Sequence, residues 1–265
     1  EDVIGRFIEE EGRYPESVGI ILWATSNLRN HGQCVAEFLY LMGLRPVWQP
    51  GSQRVVDLEV IPLEELQRPR VDVTGRISGL FRDSMPGSVI WLDDAAQRIA
   101  GLDEPTELNF VRKHVLEEAG ELEKSGLDKQ AAWRQASYRV FGDPPGAHGA
   151  GTGAVLEAKN WETIDDIAAV YTRWGAHAYG KGSVGIYMPE VFKKRMAQID
   201  ITVQNVDHRE SSMLSGDDYN NYRGGMIAAV RSYKGSMPRN YVSDSSDRSK
   251  VQLRSLTEEL KRWFR

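Results

Sequence analysis

The residues able to move protons or hold a metal ion fall in three loop-like stretches of this chain. His148 lies in RVFGDPPGAHGAGTG (residues 139–153), His177 lies in WGAHAYGKG (174–182), and Asp207, His208 and Glu210 lie in VQNVDHRESSMLSGDDY (203–219). Imidazole and carboxylate are groups that a borderline divalent ion such as Co²⁺ accepts, and they are also bases that work near neutral pH. No H-E-x-x-H or C-x-x-C spacing is present, so the common structural zinc patterns are excluded. Taken singly, each of these side chains is what any solvated surface carries. Collected in glycine-rich loops, where function concentrates, they become candidates for a site.

Aromatic and basic residues accompany them. Tyr171 and Trp174 share a helix face and Tyr179 follows in the next loop, a pattern that either packs a core or walls a flat aromatic ligand. Asp217 and Asp218 after Ser215 read as the capped first turn of a helix reaching Tyr233. Arg223, Arg231, Lys234 and Arg239 beyond them either pair with ligand carboxylates or solvate a helix face. Residues 175–182 read G-x-x-x-x-G-K-G, one position short of the phosphate-binding G-x-x-x-x-G-K-[ST]. That loop needs a strand before it and a helix directly after it; here a helical segment precedes and GSVGIYMPE follows, so no ATP site is assigned. The single cysteine, Cys34 in GQCVAEFLYLMG, reads as a small apolar residue buried on a helix rather than a nucleophile.

Periodicity lays out the elements that must position these residues. The continuous apolar run SVGIILWAT (17–25) suits a strand buried on both faces. Val35, Phe38, Leu39 and Met42 then repeat at helical spacing, Gly43 ends that helix, and 45–49 is extended, which makes a β-α-β unit with a parallel pair by default. Further extended segments at 55–61 and 71–77 flank the turn PLEEL. Beyond residue 100 the spacing is helical. Leu108, Val111, Val115 and Ala119 mark one face, Leu127, Ala131 and Tyr138 a second, 163–174 a third helix, and Phe192, Met196, Ile199 and Val203 a fourth over 190–206. Between these helices, residues 142–153 hold five glycines and two prolines, a density that breaks regular structure and lets backbone approach a ligand. Ser255 and Glu258 form a capping box near the end. The fold class expected is α/β: an N-terminal layered α/β unit with a parallel sheet over residues 1–100, then a mainly helical part with long Gly-rich loops over 101–265 that carries the site.

Composition sets the outer limits. With 265 residues, 41% hydrophobic and 27% charged, the chain suits one large or two modest domains. A net charge of -5 with acids and bases interspersed gives no pull toward nucleic acid. No apolar stretch approaches the ~20 residues that span a bilayer, and a lone cysteine forms no disulfide within the chain; a cytoplasmic setting is expected.

Three motifs together resemble the large subunit of the cobaltochelatase and magnesium-chelatase family. Residues 139–151 look like that family's R-[IV]-F-G-x-x-P-G-x-[YH]-G-A-G loop, followed by Glu157, Asn160 and Trp161. Arg76, Ser78, Gly79, Phe81, Arg82 and Asp83 resemble its R-[IV]-S-G-[FIL]-[FY]-R-D element. Ala178, Tyr179 and Gly180 resemble its A-[YF]-G element, and Asn205, Asp207, Glu210, Asp217, Asp218 and Tyr219 its N-x-D-x-x-E, D and Y pattern. The ungapped loop and WATSNLRNHGQCVAEFLYLMGLRPVW look more like the cobalt branch, and the whole reads as an internal to C-terminal portion of a longer subunit. The resemblance implies ATP-dependent insertion of a divalent metal, Co²⁺ ahead of Mg²⁺, into a tetrapyrrole, with AAA+-type partner subunits hydrolysing the ATP. It implies His148, Glu157, Asp207 and Glu210 as catalytic groups, His148 and Glu210 as transient metal ligands, and Arg82, Trp161, Tyr179 and Tyr219 as contacts to the macrocycle. Three alternatives stay open: a magnesium chelatase acting on protoporphyrin, a non-catalytic tetrapyrrole carrier, and a docking platform for the ATPase.

Overall fold

The computed structural model describes residues 2–208, 210, 216–247 and 249–264. In chain order the elements are α1 (Asp2–Glu11), β1 (Ser17–Leu22), α2 (Ala24–Arg29), α3 (Gln33–Met42), β2 (Leu44–Trp48), β3 (Val55–Val60), α4 (Leu63–Leu66), β4 (Asp72–Ile77), α5 (Gly79–Ser84), α6 (Pro86–Ala100), α7 (Phe110–Lys124) and α8 (Lys129–Ala136). There follow β5 (Val140–Gly142), α9 (Thr152–Ala158), α10 (Ile164–Gly175), β6 (His177–Gly180), β7 (Ser183–Tyr187), α11 (Pro189–Gln198), β8 (Ile201–Val206), a π-helix (Tyr219–Gly224), α12 (Gly225–Lys234), β9 (Arg239–Asp244), β10 (Gln252–Ser255) and α13 (Leu256–Trp263).

The α/β class expected from the sequence is what the chain adopts. An eight-stranded sheet runs in the order β10-β9-β8-β1-β4-β5-β6-β7. Its middle five strands are parallel, with β10 on one side and β6 and β7 on the other antiparallel. The apolar run of β1 is buried at every position, as a central parallel strand covered on both faces requires. On one face Val18, Ile20, Leu22, Val73 and Ile77 pack with α3, α6, α7 and α8; on the other Ile21 and Phe141 pack with Tyr171, Phe192, Met196 and Met226 of α10, α11 and α12. Strands from both sides of residue 100 share this sheet.

Three elements differ from the periodicity reading. β2 does not join β1: it pairs antiparallel with β3 in a separate ribbon, and β4 is the parallel neighbour of β1. Pro46, which has no N–H to donate, fits such a ribbon and not a central strand. The helix expected over 190–206 ends at Gln198, and the β-branched Ile201, Thr202 and Val203 form β8 between β1 and β9. The glycine-containing break at 175–185 is a hairpin of β6 and β7 rather than a loop. Ala131 is exposed, and Ala132 and Ala136 are the buried face of α8. The expected cap by Ser215 lies outside the described residues.

At the amino ends of the strands, buried acids and bases pair with one another. Asp72 opens β4 and accepts from Arg139 Nε at 2.6 Å, while His114 Nδ1 lies 2.7 Å from its other oxygen and His114 Nε2 lies 3.4 Å from Glu16. Burial opposes a charge on His114, but hydrogen bonds to Asp72 and Glu16 outweigh it and raise the imidazole pKa. Burial also opposes ionised Asp72, yet Arg139 and His114 hold that carboxyl well below its usual range. A raised histidine contributes stability that is complete below its unfolded value and is lost as pH rises through the folded one. Unfolding free energy from urea titrations should therefore fall as pH rises above about 6.5, and His114→Gln should flatten that fall; a flat wild-type profile above that pH would contradict the network.

Candidate functional site

The parallel strands β1, β4, β5 and β8 all direct their carboxyl ends to one edge of the sheet. Chain connections leave β1 toward β4 and β5 on one side, and leave β8 toward β9 on the other, so the order reverses between β1 and β8. Crevices outside carboxyl ends at such a reversal are where open α/β sheets bind ligands.

Arg76, on the last turn of pleat in β4, is completely buried and ion-pairs with Asp143, the first residue after β5. Burial works against its charge, but Asp143 and the rings of Tyr171 and Tyr222 outweigh that and raise its pKa. The guanidinium carbon lies 4.9 Å from the Tyr222 ring centroid and 5.7 Å from that of Tyr171. The second oxygen of Asp143 accepts from the Gly149 N–H at 3.0 Å and from the Tyr222 hydroxyl at 3.1 Å. Arg82 closes the loop from below, donating to the carbonyls of Pro144 at 2.8 Å and Ala147 at 3.2 Å, and the Tyr179 hydroxyl donates to the Asp143 carbonyl. A segment too glycine-rich to hold itself is thus tied down at both ends.

Beside this loop lies a cleft of about 880 Å³, within the range of ligand sites. Val170, Arg173 and Trp174 face it from α10 at the i, i+3, i+4 spacing of one helix face. His177 and Tyr187 face it from opposite positions of the β6–β7 pair, their ring centroids 5.0 Å apart. Burial lowers the His177 pKa, so the imidazole is neutral at pH 7, and its Nδ1 lies 3.3 Å from the Trp174 carbonyl oxygen. Gly151 has φ +75°, and a Cβ there would sit 2.2 Å from Trp174 Cδ1. The loop can approach the indole only as glycine.

The residues singled out in the sequence fall into distinct places. His148 is exposed at the cleft, with Nε2 3.1 Å from Asp83 Oδ2. Glu157 and Trp161 are exposed, on and just after α9. Asp207 follows β8 and pairs with both donor nitrogens of Arg29 at 2.8 and 3.0 Å. Glu210 is exposed, and its charge also acts on Arg29. Tyr219 opens the π-helix 6.5 Å from Trp23, which lies 4.7 Å from Tyr222. Arg82 and Tyr179 are beneath the loop. Asn205 is internal, donating to Glu37 at 2.5 Å beside Cys34, whose thiol burial pushes up to about 12. The basic residues of the π-helix and beyond are spoken for: Arg223 donates to the Tyr241 carbonyl at 3.2 Å, Arg231 to that of Gly235, Lys234 pairs with Asp200 and Arg239 with Glu11. Among the described residues no group of three or more His, Cys, Asp or Glu could hold a metal ion.

Asp143, Tyr222 and Trp23 escaped the sequence reading. Asp143 occupies an x position of the loop motif, and Tyr222 acts through a fold contact that no local spacing announces.

The chain with this mainly parallel α/β sheet and tethered glycine-rich loop is of the chelatase large-subunit class. The chain belongs to the CobN/Magnesium Chelatase family, whose model matches residues 1–265. The aerobic cobaltochelatase subunit CobN of Pseudomonas aeruginosa is 41% identical over 263 residues, covering 99% of this chain and 21% of that one. An uncharacterized protein of Methanocaldococcus jannaschii is 48% identical over all 265 residues, 21% of its own length. Among solved structures, the catalytic subunit of cobaltochelatase from Mycobacterium tuberculosis superposes with a TM-score of 0.93 at 41% identity, over 99% of this chain and 22% of that one. The chain therefore spans about a fifth of the length of these relatives.

Two substitutions test how the loop is held. Tyr222→Phe removes the hydroxyl from Asp143 and Gly149 and should lower the unfolding free energy by about 2 kcal/mol; an unchanged urea midpoint would show that the hydroxyl is replaceable. Gly151→Ala should displace the Trp174 indole, read as an altered near-ultraviolet dichroism spectrum with the far-ultraviolet spectrum intact, and an identical aromatic spectrum would place the loop elsewhere.

Proposed function

We propose that this chain forms part of the large subunit of an ATP-dependent chelatase that inserts a divalent metal, Co²⁺ in preference to Mg²⁺, into a corrin-type tetrapyrrole of cobalamin biosynthesis. The observation that carries this reading is the family match over residues 1–265 combined with an aromatic cleft beside the loop motif. ATP is hydrolysed by AAA+-type partner subunits in the cytoplasm. Support for that division comes from residues 175–182, which run from the end of α10 into a hairpin and present no helix N-terminus to a phosphate.

Metal insertion must strip water from the ion, deliver it to the ring nitrogens and remove two N–H protons. His148 at the cleft and Glu210 beyond β8 are the proposed metal-delivering groups, and His148, Glu157, Asp207 and Glu210 the proton acceptors. Trp161 and Tyr219 contact the ring. Arg82 and Tyr179 serve substrate binding by holding the loop through its carbonyls.

The test uses the complete subunit, titrated with a cobalt-free corrinoid precursor and separately with protoporphyrin, following tryptophan quenching and the ligand's absorption. Tighter saturable binding of the corrinoid is expected. Preference for protoporphyrin would move the chain to the magnesium branch, and no binding of either would overturn the reading. In the assembled complex, His148→Ala and Glu210→Ala should each slow metal insertion by roughly a hundredfold while ATP hydrolysis continues; a residue whose loss changes nothing leaves the proposal.

A further inference from the structure

The cleft beside the glycine-rich loop is one-sided in charge. Arg173, His148 and His177 line it, and among the described residues no aspartate or glutamate does. His148 faces Asp83 and His177 is turned to a backbone carbonyl. Arg173 alone of the three has no hydrogen-bond or ion-pair partner among the described residues. Its guanidinium carries a planar fork of donors matched to a carboxylate. An arginine in the last turn of α10 also suits the helix dipole. The dipole is served equally by lysine, and it does not explain why the acids stay out of the cleft.

The walls around Arg173 take a flat ligand. Trp174 is fixed in place by the backbone of Gly151, and the paired rings of His177 and Tyr187 stand across from the loop. Ligand faces stack on such rings, which contribute area and orientation but no discrimination by charge. The unpartnered arginine supplies the discrimination.

We infer that this cleft binds a flat conjugated ligand bearing a carboxylate, and that Arg173 grips the carboxylate and so selects the anionic form over its ester. That the flat ligand is the tetrapyrrole rests on the chelatase reading; the anion selectivity does not. In a metal-inserting subunit the cleft would then hold the macrocycle by its rim substituents and fix its rotation about the ring normal.

The complete subunit, wild type and with Arg173→Ala or Arg173→Lys, is titrated with protoporphyrin, with protoporphyrin dimethyl ester and with naphthalene-2,6-dicarboxylate, following tryptophan quenching. The free acid should bind about tenfold or more tighter than the ester; Arg173→Ala should erase that difference while leaving the ester's affinity unchanged, and Arg173→Lys should keep part of it. Equal binding of acid and ester, or a difference that survives Arg173→Ala, overturns the inference and leaves the chelatase reading standing. Binding of the naphthalene dicarboxylate that depends on Arg173, with neither porphyrin bound, upholds the anion site and counts against a porphyrin as the ligand. If none of the three binds, the inference falls and the chelatase reading is left to the corrinoid titration.

Discussion

A carboxylate and a guanidinium removed from water together recover their desolvation cost only when the geometry is tight and the remaining donors and acceptors are satisfied. Asp143 meets that demand on the Arg76 side through the ion pair and on its other oxygen through Gly149 and Tyr222. An apolar pair could fill the same space at no loss of stability, so what the ion pair contributes is position. It fixes the first residue of a glycine-rich loop to the end of the central strand β4, and every contact the loop makes farther on inherits that register. Arg82 and Tyr179 add bonds to carbonyls of a chain already placed. The cleft exists because the loop cannot wander.

How much of this was legible follows from where each signal resides. β1 could be read because six successive buried residues write themselves as an apolar run. The capping box at Ser255 and Glu258, and the left-handed Gly43 that ends α3, are local devices that the structure reproduces. β8 was read in the wrong period because Phe192, Met196, Ile199 and Val203 satisfy helical spacing across a break. The break is at Asp200, whose carboxylate accepts from Arg13, Lys234 and the Glu16 N–H, contacts that no window of sequence contains. The site shows the same division. His148 and the loop glycines were visible by type and density; Asp143 and Tyr222 were not, because their partners lie 67 and 79 residues away along the chain.

The π-helix is the second device that orders this edge of the sheet. Wider turns rotate successive side chains differently from an α-helix, and such segments concentrate at functional positions. Here Tyr219 and Tyr222 both reach Trp23 at the end of β1, while Asn221 turns the other way, accepting from the Thr152 hydroxyl through its carbonyl at 3.0 Å and lining the cleft. An α-helical register would move these contacts off their targets. Tyr222 consequently touches both Trp23 at the strand-order reversal and the loop, and so joins the two halves of the site.

Those halves differ in charge. The cleft carries Arg173, whereas Asp207, paired with Arg29, and Asp218 lie near Tyr219. Burial and the neighbouring charge of Asp217 raise the Asp218 pKa, as expected where like charges gather without enough cations. Coulomb's law favours an anionic ligand on the first side; on the second, no group of three or more His, Cys, Asp or Glu among the described residues could hold a metal ion. For the metal insertion proposed above, that preference for an anion has a chemical use. A macrocycle rimmed with carboxylates would itself chelate a free divalent ion at its periphery, and an arginine that occupies such a carboxylate removes the competing ligand. The ion is then free to meet the ring nitrogens, whose two protons must be removed for insertion.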